Sequence, residues 1–562
     1  MEVEAALKDL GRYGRYQMLQ LFIIEITTLA MTMCMLGPVF QGWIPEHHCF
    51  LANYTTVNQT LNQSIPYSTS EDGEIHFDQC RQFKSSTDNA TIVCQNGYYY
   101  QSNGYYTLTE QFSWVCESSY MNALVMSIYF GGVLAGGILV PPWSDYFGRK
   151  IPYIVCSLLL AVSMLLPAIF VNETFFITMK FFSGFFNTGT FIVSYVLVCE
   201  WFPTDQRSFA NLIHMLTTTV GMLVMGICGY LFTHWKYIQI IAGVIPCFAI
   251  LGIWLYDESV AWLVANSRTE EAIRILRKAA KFNKRSLSPS AIFAIRKTTE
   301  TAKRSTYERS VVDRVKLVFT NMLGCTKGSE DSDNETIGIL EIFKHPKLRL
   351  YTILEAIIWC CTSLIYYGLT LSTTVMAGGR FANYFLGAAI ELPSYLVMHF
   401  SLQYVYFSIG RRISLVGLNA ITGLVLIAAT FCPEMIGETN LVPLIMTFNT
   451  IGKFCCTAAY GTIYIHTSEL YPTNFRNRAV GIASAFARIG SMTAPFAAYL
   501  AQFMYWLPGV IIGCIGLVTA LLVLPLPETR DVPMPQTISD VDRPENNAIS
   551  QTINTNELQL MS

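Results

Sequence analysis

The chain has 562 residues, of which 52% are hydrophobic and only 14% charged, and its net charge is -2. Soluble chains carry roughly 25% charged residues, so this one lacks the polar surface to cover several soluble domains. It is too apolar to be disordered and too weakly charged to coat a nucleic acid. What remains is a polytopic membrane protein, in which a dozen spans of about 20 residues would use roughly 240 and leave over half the chain for loops and tails.

Twelve apolar segments are predicted in chain order, near 17–40, 120–141, 151–171, 174–200, 208–231, 236–257, 348–371, 379–403, 412–432, 441–467, 477–500 and 504–525. We refer to them as spans 1 to 12. Segment 1–16 precedes them, and its Arg12 and Arg15 lead into a long first apolar run that reads as a signal-anchor span. A polar loop of 41–118 follows span 1, and a second of 258–347 follows span 6. The expected organisation is therefore a six-span half (17–257), a central loop, a second six-span half (348–525), and a polar, disordered tail (526–562).

Basic residues orient the chain. Segment 266–349 holds 18 of the 37 Lys and Arg, whereas 41–118 holds only Arg81 and Lys84. The central loop and both termini are expected in the cytoplasm, with the first loop outside. That loop contains Cys49, Cys80, Cys94 and Cys116, an expected two disulfides with three connectivities open. It also carries sequons at Asn53, Asn58, Asn62 and Asn89, an expected glycosylation cluster, while Asn172 lies too close to the membrane for modification. In the central loop, Glu270 to Ala280 has apolar Ala272, Ile273, Ile275 and Leu276 at helical spacing, and is expected to pack under the bundle.

Short charged motifs recur at matching places in the two halves. Ser144-Asp145-Tyr146-Phe147-Gly148-Arg149-Lys150 joins spans 2 and 3, and Ser408-Ile409-Gly410-Arg411-Arg412 joins spans 8 and 9. Glu200 and Arg207 follow span 4; Glu469, Arg476 and Arg478 follow span 10. The glycine permits a tight turn and the basic residues anchor at the interface. Acid–base sets at equivalent positions suggest charge networks that break and re-form as two halves rock, with Asp145, Gly148, Arg149, Glu200, Arg207, Arg411, Glu469 and Arg476 as members. The bland reading is positive-inside anchoring alone.

Ionisable residues inside spans are functional candidates by default. Arg488 lies halfway along span 11, Glu391 in span 8, Lys453 in span 10, Glu25 in span 1 and His214 early in span 5. The guanidinium can hold a carboxylate bidentately, and the Glu391 carboxylate can attract a cation or titrate. Alternatively, Arg488 and Glu391 form an ion pair between helices. Lys453 divides between ion coupling and snorkelling, and His214 is more often a satisfied bundle residue. Trp359 and Tyr366 in span 7 share a helix face, as do Tyr460 and Tyr464 in span 10 and Phe191 and Tyr195 in span 4. Ordinary packing explains such spacing, but aromatic cages also hold quaternary ammonium groups.

The stretches "SDYFGRK", the paired acid–base segments and "LPLPETR" resemble the major facilitator superfamily. "GWIPEHHC", "DESVAWL" and "ELYPTNFRNRAVGIAS" are similar to the organic cation, organic anion and carnitine transporters within it. The departures are Tyr146 where the family more often has Arg, and "DESVAWL" in place of "PESPRWL". The resemblance covers nearly the whole chain. It implies an all-α major facilitator fold and a plasma-membrane transporter moving small organic solutes by alternating access, with its site between the halves. It implies pocket roles for Phe191, Trp359, Tyr366, Tyr460, Tyr464, Arg488 and Glu391. An anion-type Arg488 beside a cation-type Glu391 resembles the carnitine and zwitterion branch, so carnitine-like or amino-acid-like zwitterions are the expected substrates; a plain organic cation or anion carrier is the alternative. No cofactor is expected, and sodium co-transport stays open. The expected partners are the small organic ion and the lipid bilayer, with no nucleic acid. No GxSxG, HExxH or phosphate-loop motif suggests an enzyme. His47 and His48 read as structural rather than as a metal site.

Overall fold

A computed structural model describes residues 2–50, 64–69, 75–85, 88–101, 104–306, 345–372, 379–403, 410–436, 439–472, 475–501, 503–504, 506–530 and 535. Asn53, Asn58, Asn62, Ser408, Ile409 and nearly all of the tail lie outside the described residues.

The structure is an all-α membrane fold. Nine helices among the described residues are long and apolar enough to cross a bilayer. They are spans 1 (Arg15–Gln41), 2 (Met121–Phe147), 3 (Lys150–Ile169), 4 (Glu173–Glu200), 5 (Arg207–Leu231), 6 (beginning Trp235–Val244), 7 (Pro346–Leu371), 9 (Arg411–Phe431) and 10 (Val442–Leu470). The other three predicted spans are also helical, and each has a physical reason to fall short. Span 12 is Leu507–Val523, only 17 residues. Span 11, Arg476–Leu500, carries Arg476, Arg478 and Arg488. Span 8 is two helices, Arg380–Ala389 and Glu391–Gln403, separated at Ile390. Pro393 explains the break: it has no N–H to give the Ala389 carbonyl, and its ring opposes a continuous turn there.

Span 2 packs against span 11, and span 5 against both halves of span 8. Ser127 of span 2 donates to the Met492 carbonyl of span 11 at 2.6 Å, and Tyr384 of span 8 donates to the Met222 carbonyl of span 5 at 3.1 Å. These are among the contacts by which the first six spans meet the second six.

The side bearing segment 41–118 is called the loop side. There, short antiparallel strand pairs join Glu46–Cys49 to Tyr98–Gln101 and Arg81–Ser85 to Asp88–Val93. Asn89 lies on the last of these strands. The cysteines pair as Cys49–Cys94 and Cys80–Cys116, one of the three arrangements left open by sequence. Asn172 caps span 4, its side chain accepting from the Phe175 N–H at 3.1 Å.

On the opposite, turn side, three helices form a platform: Glu2–Asp9, Thr269–Phe282 and Pro289–Thr306. They pack on one another, and Thr269–Phe282 packs on span 1. Ala272, Ile273, Ile275 and Leu276 are buried, because this strongly amphipathic helix turns its apolar stripe to Tyr16, Trp201 and Trp262. The Glu2–Asp9 helix was not expected from segment 1–16.

The two glycine-basic turns are built alike. Span 3 starts after Gly148-Arg149 and span 9 after Gly410, leaving backbone N–H groups without helical partners. A distant glutamate meets each set. Glu258 Oε1 accepts from Arg149 N at 2.9 Å, and its carboxylate also accepts from Lys150 N. Glu528 accepts from Arg411 N at 2.6 Å and Arg412 N at 3.2 Å. A Cβ on Gly148 would stand 2.3 Å from the Glu258 carboxylate, and one on Gly410 2.2 Å from that of Glu528. Each glycine therefore exists to let the carboxylate reach the backbone. Gly148 also has φ +98°, which side-chain-bearing residues adopt only under strain.

Gly148→Ala should destabilise the protein by about 1–3 kcal/mol, since it combines strain with displacement of the cap. Gly410→Ala should cost less, because φ is -55° there and only the cap must move. Thermal unfolding in detergent measures both, and equal midpoints for the two variants would contradict this account.

Candidate functional site

The interior of the second half holds a chain of charged and aromatic side chains on spans 7, 8, 10 and 11. Glu391 opens the second helix of broken span 8, so its carboxylate sits at the positive end of that helix. Lys453 of span 10 pairs with it at 2.9 Å, both side chains being nearly inaccessible at 7% and 0%. Tyr366 of span 7 donates to the same oxygen at 2.9 Å, and Lys453 Nζ also donates to Thr370 at 2.5 Å. The ammonium lies 3.7 Å from the centroid of the Tyr366 ring.

The alternative in which Glu391 pairs with Arg488 is not what forms: Glu391 pairs with Lys453, and of the two readings open for Lys453 its burial argues against snorkelling. A lone carboxylate or ammonium would be strongly disfavoured in this interior, and mutual contact offsets part of both penalties, with Glu391 Oε2 still lacking a hydrogen-bond partner among the described residues.

Arg488 of span 11 stands apart from that pair. Its electrostatic neighbours are Tyr367, Tyr460 and Tyr464, with the Tyr367 side chain as hydrogen-bond partner. Among the described residues, no carboxylate pairs with its guanidinium. Trp359 lies 6.4 Å from Tyr460 and 4.4 Å from Tyr464 between ring centroids, and Tyr366 stacks on Tyr460 at 5.3 Å. The four rings predicted from helical spacing thus form one cluster. Its cationic occupant at Tyr366 is the protein's own Lys453. Trp359 Nε1 donates to Thr467 at 2.9 Å, which fixes the indole in place.

Phe191 and Tyr195 belong to a separate group in the first half. Both rings flank His214, at 5.0 and 5.6 Å. His214 Nδ1 lies 2.9 Å from Glu25 Oε1, so this histidine has a buried carboxylate partner. Tyr195 is within Coulombic range of Tyr464, which brings the two aromatic groups near each other across the interface between the halves. A second histidine–carboxylate pair, His466 with Glu355 at 2.9 Å, escaped the sequence reading.

On the turn side, Arg149 contacts Asp145 at 2.5 Å and Glu200 at 3.5 Å. Arg411 meets Glu469 at 3.5 Å. Arg207 and Arg476 do not join these sets as expected. Arg207 donates to the Phe202 carbonyl at 3.3 Å, and no acidic partner of Arg476 is seen among the described residues. Glu258 and Glu528 are the members that sequence reading missed. Their signal was visible: each is followed by a hydroxyl residue, Ser259 or Thr529, just past spans 6 and 12.

On the loop side, His47, Cys80 and Cys116 lie close enough to suggest a metal site. The two sulfurs are joined to each other, however, and present no thiolates. Burial holds the His47 imidazole below its ordinary pKa.

Two six-span units meeting around buried charges and tyrosines define a multi-pass membrane transporter rather than an enzyme. The Major Facilitator Superfamily profile matches residues 97–409 and 392–545. An organic cation transporter-like protein of Drosophila melanogaster is 30% identical over 553 residues, covering 97% of this chain and 93% of that protein. Solute carrier family 22 member 7 of Rattus norvegicus is 28% identical, covering 97% and 98%. The chain belongs to the organic cation, organic anion and carnitine transporter family of the major facilitator superfamily, and as such requires no cofactor. The inward-open structure of the xylose transporter XylE from E. coli superposes with a TM-score of 0.58 at 13% identity, covering 93% of this chain and 99% of that one. That likeness concerns the fold.

Lys453→Met alone leaves a buried carboxylate unpaired and should cost about 3–5 kcal/mol of stability. The double variant Glu391→Gln with Lys453→Met should recover most of that loss. Thermal unfolding of both single variants and the double variant tests this, and additive losses would refute the pairing.

Proposed function

We propose that the protein is a transporter of small organic ions that favours organic anions, with Arg488 receiving the substrate carboxylate. The observation that carries this reading is the charge balance around the second-half cluster. Glu391 and Lys453 neutralise each other, while Arg488 has tyrosine neighbours and no acidic partner among the described residues. The cluster's balance is one positive charge. A guanidinium surrounded by hydroxyls suits a planar carboxylate, and the Trp359, Tyr460 and Tyr464 rings suit an aromatic or aliphatic body.

The sequence-based preference for carnitine-like zwitterions loses half of its basis here. It required Glu391 and the aromatic cage to receive an amine, and Lys453 already occupies both roles. The relatives' names also span organic cation transporters and broader solute carriers, which favours the wider organic-ion reading. The zwitterion remains a second reading for one reason: rings beside Arg488 offer faces to a quaternary amine.

The excess of basic residues in 266–349 supports placing the turn side and both termini in the cytoplasm of a plasma-membrane protein. The paired charge sets on that side then suit alternating access, opening and closing as the halves rock. Sodium coupling has no residue of its own to support it.

Uptake of a panel (benzoate, a dicarboxylate, tetraethylammonium, carnitine and β-alanine), with and without sodium, tests the charge class. Benzoate and the dicarboxylate should be carried best. Arg488→Met should weaken benzoate transport by about tenfold to a hundredfold, in line with loss of a charge-assisted hydrogen bond. Preferred carnitine uptake would favour the second reading, and benzoate uptake indifferent to Arg488→Met would defeat the first.

A further inference from the structure

We infer that the cavity beneath the 41–118 loop is a second organic-anion site, with the Lys180 ammonium as its charge contact. The cavity has a volume of about 640 Å³ and draws its walls from the loop and from both halves. Binding sites for small molecules commonly enclose about 300–1,000 Å³. Trp43, Trp114, Phe176, Tyr499 and Phe503 line it, and Lys180 of span 4 completes the wall two helical turns in from the loop-side end.

Lys180 is the anomaly in this wall. The residue is 2% exposed, and its Nζ has no hydrogen-bond partner among the described residues. The Phe176 ring, 5.1 Å away, and the Cys34 thiol are its neighbours. Four other polar residues of the wall are engaged. Trp114 donates to Glu173 at 2.9 Å, Ser119 to the Cys116 carbonyl at 2.7 Å, and Asn122 to Thr109 at 2.9 Å; His47 Nδ1 lies 3.0 Å from the Pro45 carbonyl. Glu173, the acid at the start of the same helix, is thereby already in use. A buried ammonium facing apolar walls is costly unless an anion meets it.

The rest of the wall describes the ligand's body. Indole and phenyl faces take up an aromatic or aliphatic chain, and Lys180 takes the carboxylate at its end. This location is separate from Arg488, since none of Arg488, Tyr367, Tyr460 and Tyr464 lines the cavity. Met126 and Leu371 line it, and the apolar cluster that includes them also includes Phe130 and Tyr367. An anion held here sits between the loop side and the Tyr367–Arg488 group. The charge class follows from Lys180 itself and is independent of the role given to Arg488.

The test is equilibrium binding of radiolabelled benzoate to the full chain in lipid nanodiscs, where both faces are accessible. Arg488→Met removes the deeper charge. It should leave a benzoate-binding component that Lys180→Met weakens about tenfold or more and Lys180→Arg largely preserves. Phe503→Ala at the exposed rim should weaken the same component without touching a buried charge. Without benzoate, Lys180→Met should raise the unfolding temperature, because it removes an unpartnered ammonium. Absence of any residual binding in folded Arg488→Met protein overturns the proposal, as does residual binding insensitive to both Lys180→Met and Phe503→Ala. Loss of uptake in Arg488→Met bears only on the deeper location, so the two assignments fail separately.

Discussion

The contact between Glu391 and Lys453 governs the interior of the second half. It places two opposite charges where neither survives alone, and it ties span 8 to span 10 beside Tyr366. The break at Ile390 positions the acid, and the aromatic face of Tyr366 receives the base. Once these two groups satisfy each other, the character of the surrounding space is set by whatever charge remains. That charge is Arg488, and this is why the proposed substrate contact is an arginine among tyrosines rather than the acid.

The turn side works by a different physical device. Two glutamates that lie more than a hundred positions from the helices they serve supply partners for the first N–H groups of spans 3 and 9. The glycines beside them are small because the carboxylates must pass. Repetition of the same arrangement in both halves turns a local capping problem into a link between the start of one span and the end of another. The arginines nearby then engage Glu200 and Glu469, so helix ends and charge sets form a single layer.

Hydropathy alone made the spans legible, because an apolar run of sufficient length has few other fates. It was least informative where a span is not a simple apolar cylinder. Span 8 reads as one segment by composition, and only Pro393 hints at two. The aromatic faces of spans 7 and 10 followed from seven- and four-residue spacing, and the structure joins them in one cluster. Partnerships were the opaque part. Glu391 and Lys453 are 62 positions apart on different helices, and no periodicity links them. The same holds for Glu25 with His214 and for Glu355 with His466. Arg207 and Arg476 show the converse failure: charged residues at matching places in two halves do not guarantee acid–base contacts.

The platform of Glu2–Asp9, Thr269–Phe282 and Pro289–Thr306 has a mechanical implication. Asn283 joins it to the start of span 1 through Tyr16 N at 2.8 Å, and Lys278 reaches Asp257 at the end of span 6 at 2.7 Å. All these attachments are to the first half. A platform fastened in this way is coupled to the first half at two points, and its exposed Arg277 is a place where a reporter would follow any tilt of that half without disturbing the interior.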